Sequence, residues 1–91
     1  MILQMEARHW VRQRVAGERY LCLLQEGELV VVLDRCKHRG GPLSLGTYDE
    51  RTQCVKCPWH DMVNTPRNLE ARRMPSVRVG SVMTVVVPEP D

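Results

Sequence analysis

The stretch RYLCLLQEGELVVVLD most constrains what this chain can fold into. Two apolar runs, residues 20–24 and 29–33, flank a polar turn at 25–28. Val30, Val31 and Val32 favour extended backbone, and the pair of runs reads as a β-hairpin. HWVRQRV, before it, alternates apolar and polar from Trp10 to Val15 and reads as a half-buried strand. RTQCVKC is a short strand leading into Cys57. Near the end SVRV, then Gly80 and Ser81, then VMTVVV form a second hairpin, with Pro88 and Pro90 stopping its last strand. Helix signals are scarce, and there is no internal repeat, low-complexity stretch or linker. Several short strands with regular turns predict an all-β fold, a small antiparallel sandwich or barrel. The 91 residues fit one domain, 1–91.

A domain this small buries a modest core, and a metal or disulfides often make up the difference. Its 13 basic and 11 acidic side chains leave a net charge of +2, too weak to point to nucleic acid or a membrane surface. The opening MILQMEARHW does not read as a signal peptide, and no apolar run approaches the ~20 residues of a membrane span. The expected compartment is the cytoplasm. Thiols there stay reduced, so the four cysteines read as ligands or buried side chains rather than disulfides.

Two segments escape the strand pattern, CKHRGGPLSLG at 36–46 and CPWHDMVNTPRNLE at 57–70. Both read as loops, and loops on a rigid β scaffold are where function concentrates. Each holds a cysteine and a histidine. Cys36 and His38 form C-x-H; after 18 intervening residues, Cys57 and His60 form C-x-x-H. Two cysteines and two histidines in pairs on two loops suit zinc or an iron–sulfur cluster. A zinc alternative would use Cys54 and Cys57 as a C-x-x-C knuckle with Cys36 and His38. It would leave His60 unused and give no reason for the pair Gly40–Gly41.

These motifs resemble the Rieske iron–sulfur family, CKHRGGPLSLG its first loop and CPWH its second, and the resemblance extends to the strands of the whole chain. It implies a small antiparallel β domain with cluster-binding loops at about 35–46 and 57–65. It also implies one 2Fe–2S cluster per chain, with Cys36 and Cys57 on one iron and His38 and His60 on the other. Neutral imidazoles in place of two thiolates remove negative charge and raise the reduction potential. Gly40 and Gly41 would let the backbone approach the cluster and aim N–H groups at its sulfurs, Pro42 and Pro58 would stiffen the loops, and Trp59 would shield one of them.

The departures are informative. Respiratory members carry a further cysteine in each loop, forming a disulfide; the corresponding positions here are Gly41 and Trp59. High-potential members place Ser and Tyr donors after the second histidine, where this chain has Asp61, Met62, Val63 and Asn64. Together these imply the low end of the Rieske range, near about −150 mV. The ferredoxin-like branch usually has Gly at Asp61 and an aromatic a few residues on, and nothing aromatic follows Trp59.

Cys54 reads as an ordinary strand side chain, Cys22 as core, and His9 as a surface residue with no metal role. Arg35, Lys37, Arg39 and Lys56 flank the ligands and could dock a partner; the opposing picture is an apolar face of Pro42, Leu43 and Trp59. No catalytic constellation stands beside the loops, and nothing leaves room for the 2-His-1-carboxylate iron site of an oxygenase. The chain is expected to be an electron carrier rather than an enzyme. It most resembles the ferredoxin component of a multicomponent oxygenase system, a monomer passing single electrons from a flavin reductase to a terminal oxygenase. It resembles less specifically the small subunit of assimilatory nitrite reductases, and a redox-sensing regulatory protein is a further alternative.

Overall fold

The structure, a computed structural model, describes residues 1–37 and 40–89. At its centre lies the expected hairpin. Strands β3 (Glu18–Gln25) and β4 (Glu28–Leu33) pair antiparallel, setting Leu21 opposite Val32, Leu23 opposite Val30 and Cys22 opposite Val31. The turn is tighter than the sequence implies. Only Glu26 and Gly27 connect the strands, both at positive φ (51° and 78°), as a two-residue turn matching strand twist requires.

Successive side chains leave a strand on opposite faces. Leu21, Leu23, Val30 and Val32 therefore point one way, and Tyr20, Cys22 and Val31 the other. Both faces are covered, which is why the run is continuously apolar rather than alternating. On one face the four residues pack with Cys36, Leu43, Val55, Cys57 and Leu69. On the other, Tyr20, Cys22 and Val31 pack with Leu3, Met5, Met83, Val85 and Val87. Burying a Leu or Val side chain stabilises by about 1.5–3 kcal/mol, and this central hairpin supplies a large share of both clusters. Cys22 is core, as expected.

Strand β2 (Val11–Val15) and strand β8 (Arg73–Met74) extend the hairpin into a four-stranded sheet ordered β2-β3-β4-β8. A second sheet, β1-β10-β9, covers the face away from the cysteine loops. It joins β1 (Ile2–Glu6) to the expected terminal hairpin of β9 (Ser76–Val79) and β10 (Val82–Val86). A third, small sheet of β5 (Thr47–Tyr48), β6 (Val55–Lys56) and β7 (Val63–Asn64) carries the second loop. All strand pairs are antiparallel. Among the described residues no helix is long and apolar enough to cross a membrane.

Four features depart from the sequence reading. Strand β1 was not expected, because its partner β10 lies at the far end of the chain and only Leu3 and Met5 of it are buried. RTQCVKC contributes only Val55 and Lys56 to a strand, the residues before them forming a turn. The segment expected as loop from Cys57 to Glu70 contains β7 and a short helix, α1 (Pro66–Glu70). Thr65 caps that helix: its hydroxyl accepts from the Asn68 N–H, and Asn68 Oδ1 accepts from the Thr65 N–H. Pro66 at the first helical position completes a local signal that the sequence did carry. Finally, Trp10 does not start a strand. It sits at φ 66°, its indole N–H donating to the Ser44 carbonyl at 3.1 Å.

Candidate metal centre

The first loop leaves β4 at Asp34, whose carboxylate is fully buried. It accepts the Ser44 N–H at 2.8 Å and the Ser44 hydroxyl at 2.6 Å, pinning the 3-10 turn Leu43–Leu45 beneath the loop. Arg19 reaches across from β3. Its Nη2 donates to the carbonyls of Asp34 (3.1 Å) and Gly40 (3.2 Å), and its buried Nε lies 3.9 Å from the Asp34 carboxylate without a hydrogen bond. The loop also closes on itself, Cys36 N–H to Gly41 O at 2.7 Å and Gly40 N–H to Cys36 O at 3.1 Å. Asp34, Ser44 and Arg19 were not singled out in the sequence; an acidic residue closing an apolar strand was the one available signal.

The second loop begins at Cys57 on the end of β6. The Cys57 N–H donates to the Met62 carbonyl at 2.7 Å, so residues 57–62 form a tight excursion. At its tip His60 and Asp61 both have positive φ, 61° and 54°. The left-handed region is costly for most residues, but a short polar side chain tolerates it. That gives a physical reason for the family's Gly at Asp61 and for Asp being accepted in its place.

The two loops bring Cys36 and Cys57 together in the hairpin's buried face, 4% and 0% exposed. Burial pushes the Cys57 thiol above its ordinary pKa; the Trp59 N–H works against this, while neighbouring Cys36 and Asp34 push it the same way. Each sulfur has a donor aimed at it. The Trp59 N–H points to Cys57 Sγ at 3.4 Å, and Asn64 Nδ2 to Cys36 Sγ at 3.5 Å. Gly41 is moulded to the pair, since a Cβ there would stand 2.8 Å from Cys57 Sγ and 3.0 Å from the Trp59 ring. Buried sulfurs, N–H groups directed at them and a backbone with no room for a methyl fit a thiolate-bound group.

His60 is exposed at the loop tip. The expected ligand His38, with Arg39, lies outside the described residues. Among those described, no three His, Cys, Asp or Glu side chains are gathered around a site for one metal ion. Cys54 lies near the Thr52 carbonyl at 3.8 Å, so the Cys36–Cys54–Cys57 part of the zinc alternative is not assembled. His9 accepts the Leu24 N–H at its Nδ1 (2.9 Å) and packs edge-on against Tyr48, a structural role.

The basic rim is altered. Arg35 forms a two-point pair with Glu18, at 3.0 and 2.7 Å, and Lys37 Nζ donates to Asn68 Oδ1 at 3.2 Å. The expected apolar face is altered too, because Leu43 is fully buried and Leu45 is exposed instead.

A small antiparallel β domain that brings two buried cysteines together from two loops suits an iron–sulfur domain. The Rieske [2Fe-2S] domain family matches residues 3–79, and the chain belongs to that family. Its fold is similar to that of the ferredoxin of carbazole 1,9a-dioxygenase from Nocardioides aromaticivorans IC177. The two superpose with a TM-score of 0.66 at 15% identity, over 90% of this chain and 95% of that one. Comparison with curated protein sequences gave no match.

Proposed function

We propose that the protein is a cytoplasmic, monomeric one-electron carrier serving a flavin-dependent reductase and a terminal oxygenase. Cys36 and Cys57 hold one iron of a single 2Fe–2S cluster, and His38 and His60 the other. The observation that carries this reading is the convergence of Cys36 and Cys57 from two loops into one buried pair, each sulfur with an N–H directed at it. Such a cluster, when bound, takes up and gives back a single electron. The chain's own residues supply its setting. Leu21, Leu23, Val30 and Val32 exclude water beneath the sulfurs, Arg19 and Asp34 fix the first loop, and the Cys57–Met62 bond fixes the second. Exposed His60 offers an imidazole edge where a partner can approach. The likeness to a ferredoxin of a dioxygenase supports the choice of partners.

Protein purified without oxygen should hold about two irons and two acid-labile sulfides per chain. The reduced form should give the low average-g paramagnetic signal of mixed cysteine and histidine ligation. Cys57→Ser should abolish loading. Stoichiometric zinc with no labile sulfide refutes the cluster. Copurification in fixed stoichiometry with a large enzyme refutes the shuttle.

A further inference from the structure

Asn64 stands in the stretch after the second histidine where high-potential members place Ser and Tyr donors. In the structure it is 1% exposed and lies between the two loops. Its Oδ1 accepts the Lys37 N–H at 3.0 Å, and its Nδ2 donates to Cys36 Sγ at 3.5 Å and to the Val55 carbonyl at 3.4 Å. Which end of the amide faces which partner follows from chemistry. The Lys37 N–H needs an acceptor, whereas the Val55 carbonyl and the sulfur need donors; turning the amide over would break all three contacts. Buried hydrogen bonds in series polarise one another, so the Lys37 N–H strengthens the Nδ2 donors beyond it.

We propose that the Asn64 side-chain amide sets the reduction potential of this site by donating a hydrogen bond to Cys36 Sγ. The inference rests on the reading above that Cys36 is a cluster ligand. Adding an electron makes the cluster and its thiolates more negative. An N–H directed at a ligand sulfur therefore favours the reduced state more than the oxidised one and raises the potential. The amide is buried, so water does not screen or replace it. Asn64 thus offsets part of the low potential that the missing Ser and Tyr imply.

The test is Asn64→Leu, which keeps the heavy-atom count and branch point but removes the donor, compared with wild type by film voltammetry. It should retain about two irons per chain, and its equilibrium constant for one-electron reduction should fall at least about tenfold, a shift of about 59 mV downward. A merely structural role would lower thermal stability and leave the potential in place. A loaded variant with an unmoved potential overturns this inference alone. Should Asn64→Leu fail to load, the decision passes to otherwise wild-type protein carrying Asn68→Glu, which leaves Asn64 as the only asparagine. With 15N in that side-chain amide, pulsed paramagnetic resonance of the reduced protein should show a 15N coupling. Its absence overturns the inference. Wild-type protein that never holds iron and sulfide overturns the underlying reading, and this one with it.

Discussion

Replacing Gly41 by Ala probes the site by adding a single methyl. Gly41 is not among the glycines at positive φ, so an alanine meets no backbone penalty there. The cost is steric. The new Cβ would lie 2.8 Å from Cys57 Sγ and 3.0 Å from two carbons of Trp59. Ordinary contacts between heavy atoms fall at about 3.5–4.0 Å, so the neighbours must retreat by at least about 0.5–0.7 Å. Trp59, 51% exposed, can swing outward. Cys57 cannot: it is fully buried, and its N–H is tied to Met62. Overpacking of this kind costs about 1–3 kcal/mol. In a domain of this size each kcal/mol moves the melting temperature by about 4–8 °C, so a fall of roughly 5–20 °C is expected. The cysteine pair should also be spread, and iron content should drop. Gly40→Ala is the control. Among the described residues it meets no atom within 4 Å, but it sits at φ 69°, costing about 1–2 kcal/mol of backbone strain while leaving the sulfurs in place. Urea denaturation and iron analysis of the two variants separate the mechanisms. A Gly41→Ala protein with wild-type midpoint and iron content would refute the close packing of the two loops.

Asp34→Ala leaves the buried Ser44 N–H and hydroxyl without their acceptor, which should cost at least about 2 kcal/mol in urea denaturation and loosen the first loop. The Asp49 carboxyl is held below its usual range by the N–H groups of Arg51 and Thr52. A lowered folded-state pKa stabilises above the ordinary carboxylate value of about 3.9 and is lost as pH falls through the lowered value. Asp49→Ala should therefore lie below wild type in stability at pH 7 and converge on it in strong acid, as denaturation at a series of pH values would show. Lys37→Glu with Lys56→Glu should slow reduction by the cognate reductase at low salt and leave the visible spectrum intact. The difference should vanish as the Debye length shrinks to about 3 Å at 1 M salt, and stopped-flow rates insensitive to both salt and substitution would rule out electrostatic docking.

What the sequence made legible was local. Residues 20–33 carry their strands and turn in one contiguous segment, so the hairpin could be read directly. The two loop cysteines stood out for the same reason, each in a short stretch with a histidine, and Cys36 with a glycine pair as well. What stayed hidden depended on distant partners. Ile2–Glu6 becomes a strand because Val82–Val86 lies beside it. Asn64 can reach a sulfur only because a cysteine 28 positions earlier folds onto it. Leu43 and Leu45 look alike in sequence, but the 3-10 turn sends one inward and leaves the other in solvent. Arg35 looked like a free cation until β3 brought Glu18 to it.

These last corrections bear on how a partner would meet the protein on the reading proposed above. The cysteine side is sealed, with Cys57, Leu43 and Val55 all fully buried, so no partner reaches the site through the sulfurs. Among the described residues, the tip carrying Trp59 and His60 is exposed, and Leu45 is exposed on the other loop. Two of the cations expected to ring it are engaged within the fold, Arg35 by Glu18 and Lys37 by Asn68. An exposed pair such as Arg35–Glu18 adds little to stability, but it cancels a charge that would otherwise steer an acidic partner. Remaining charge such as that of Lys56 acts mainly on the rate of encounter, whereas contact area from Leu45 and Trp59 acts on the lifetime of the complex. A carrier must leave its donor before meeting its acceptor; the charges of Lys37, whose Asn68 partner is neutral, and Lys56 speed encounter, while the small apolar area that Leu45 and Trp59 offer favours short-lived complexes over tight ones.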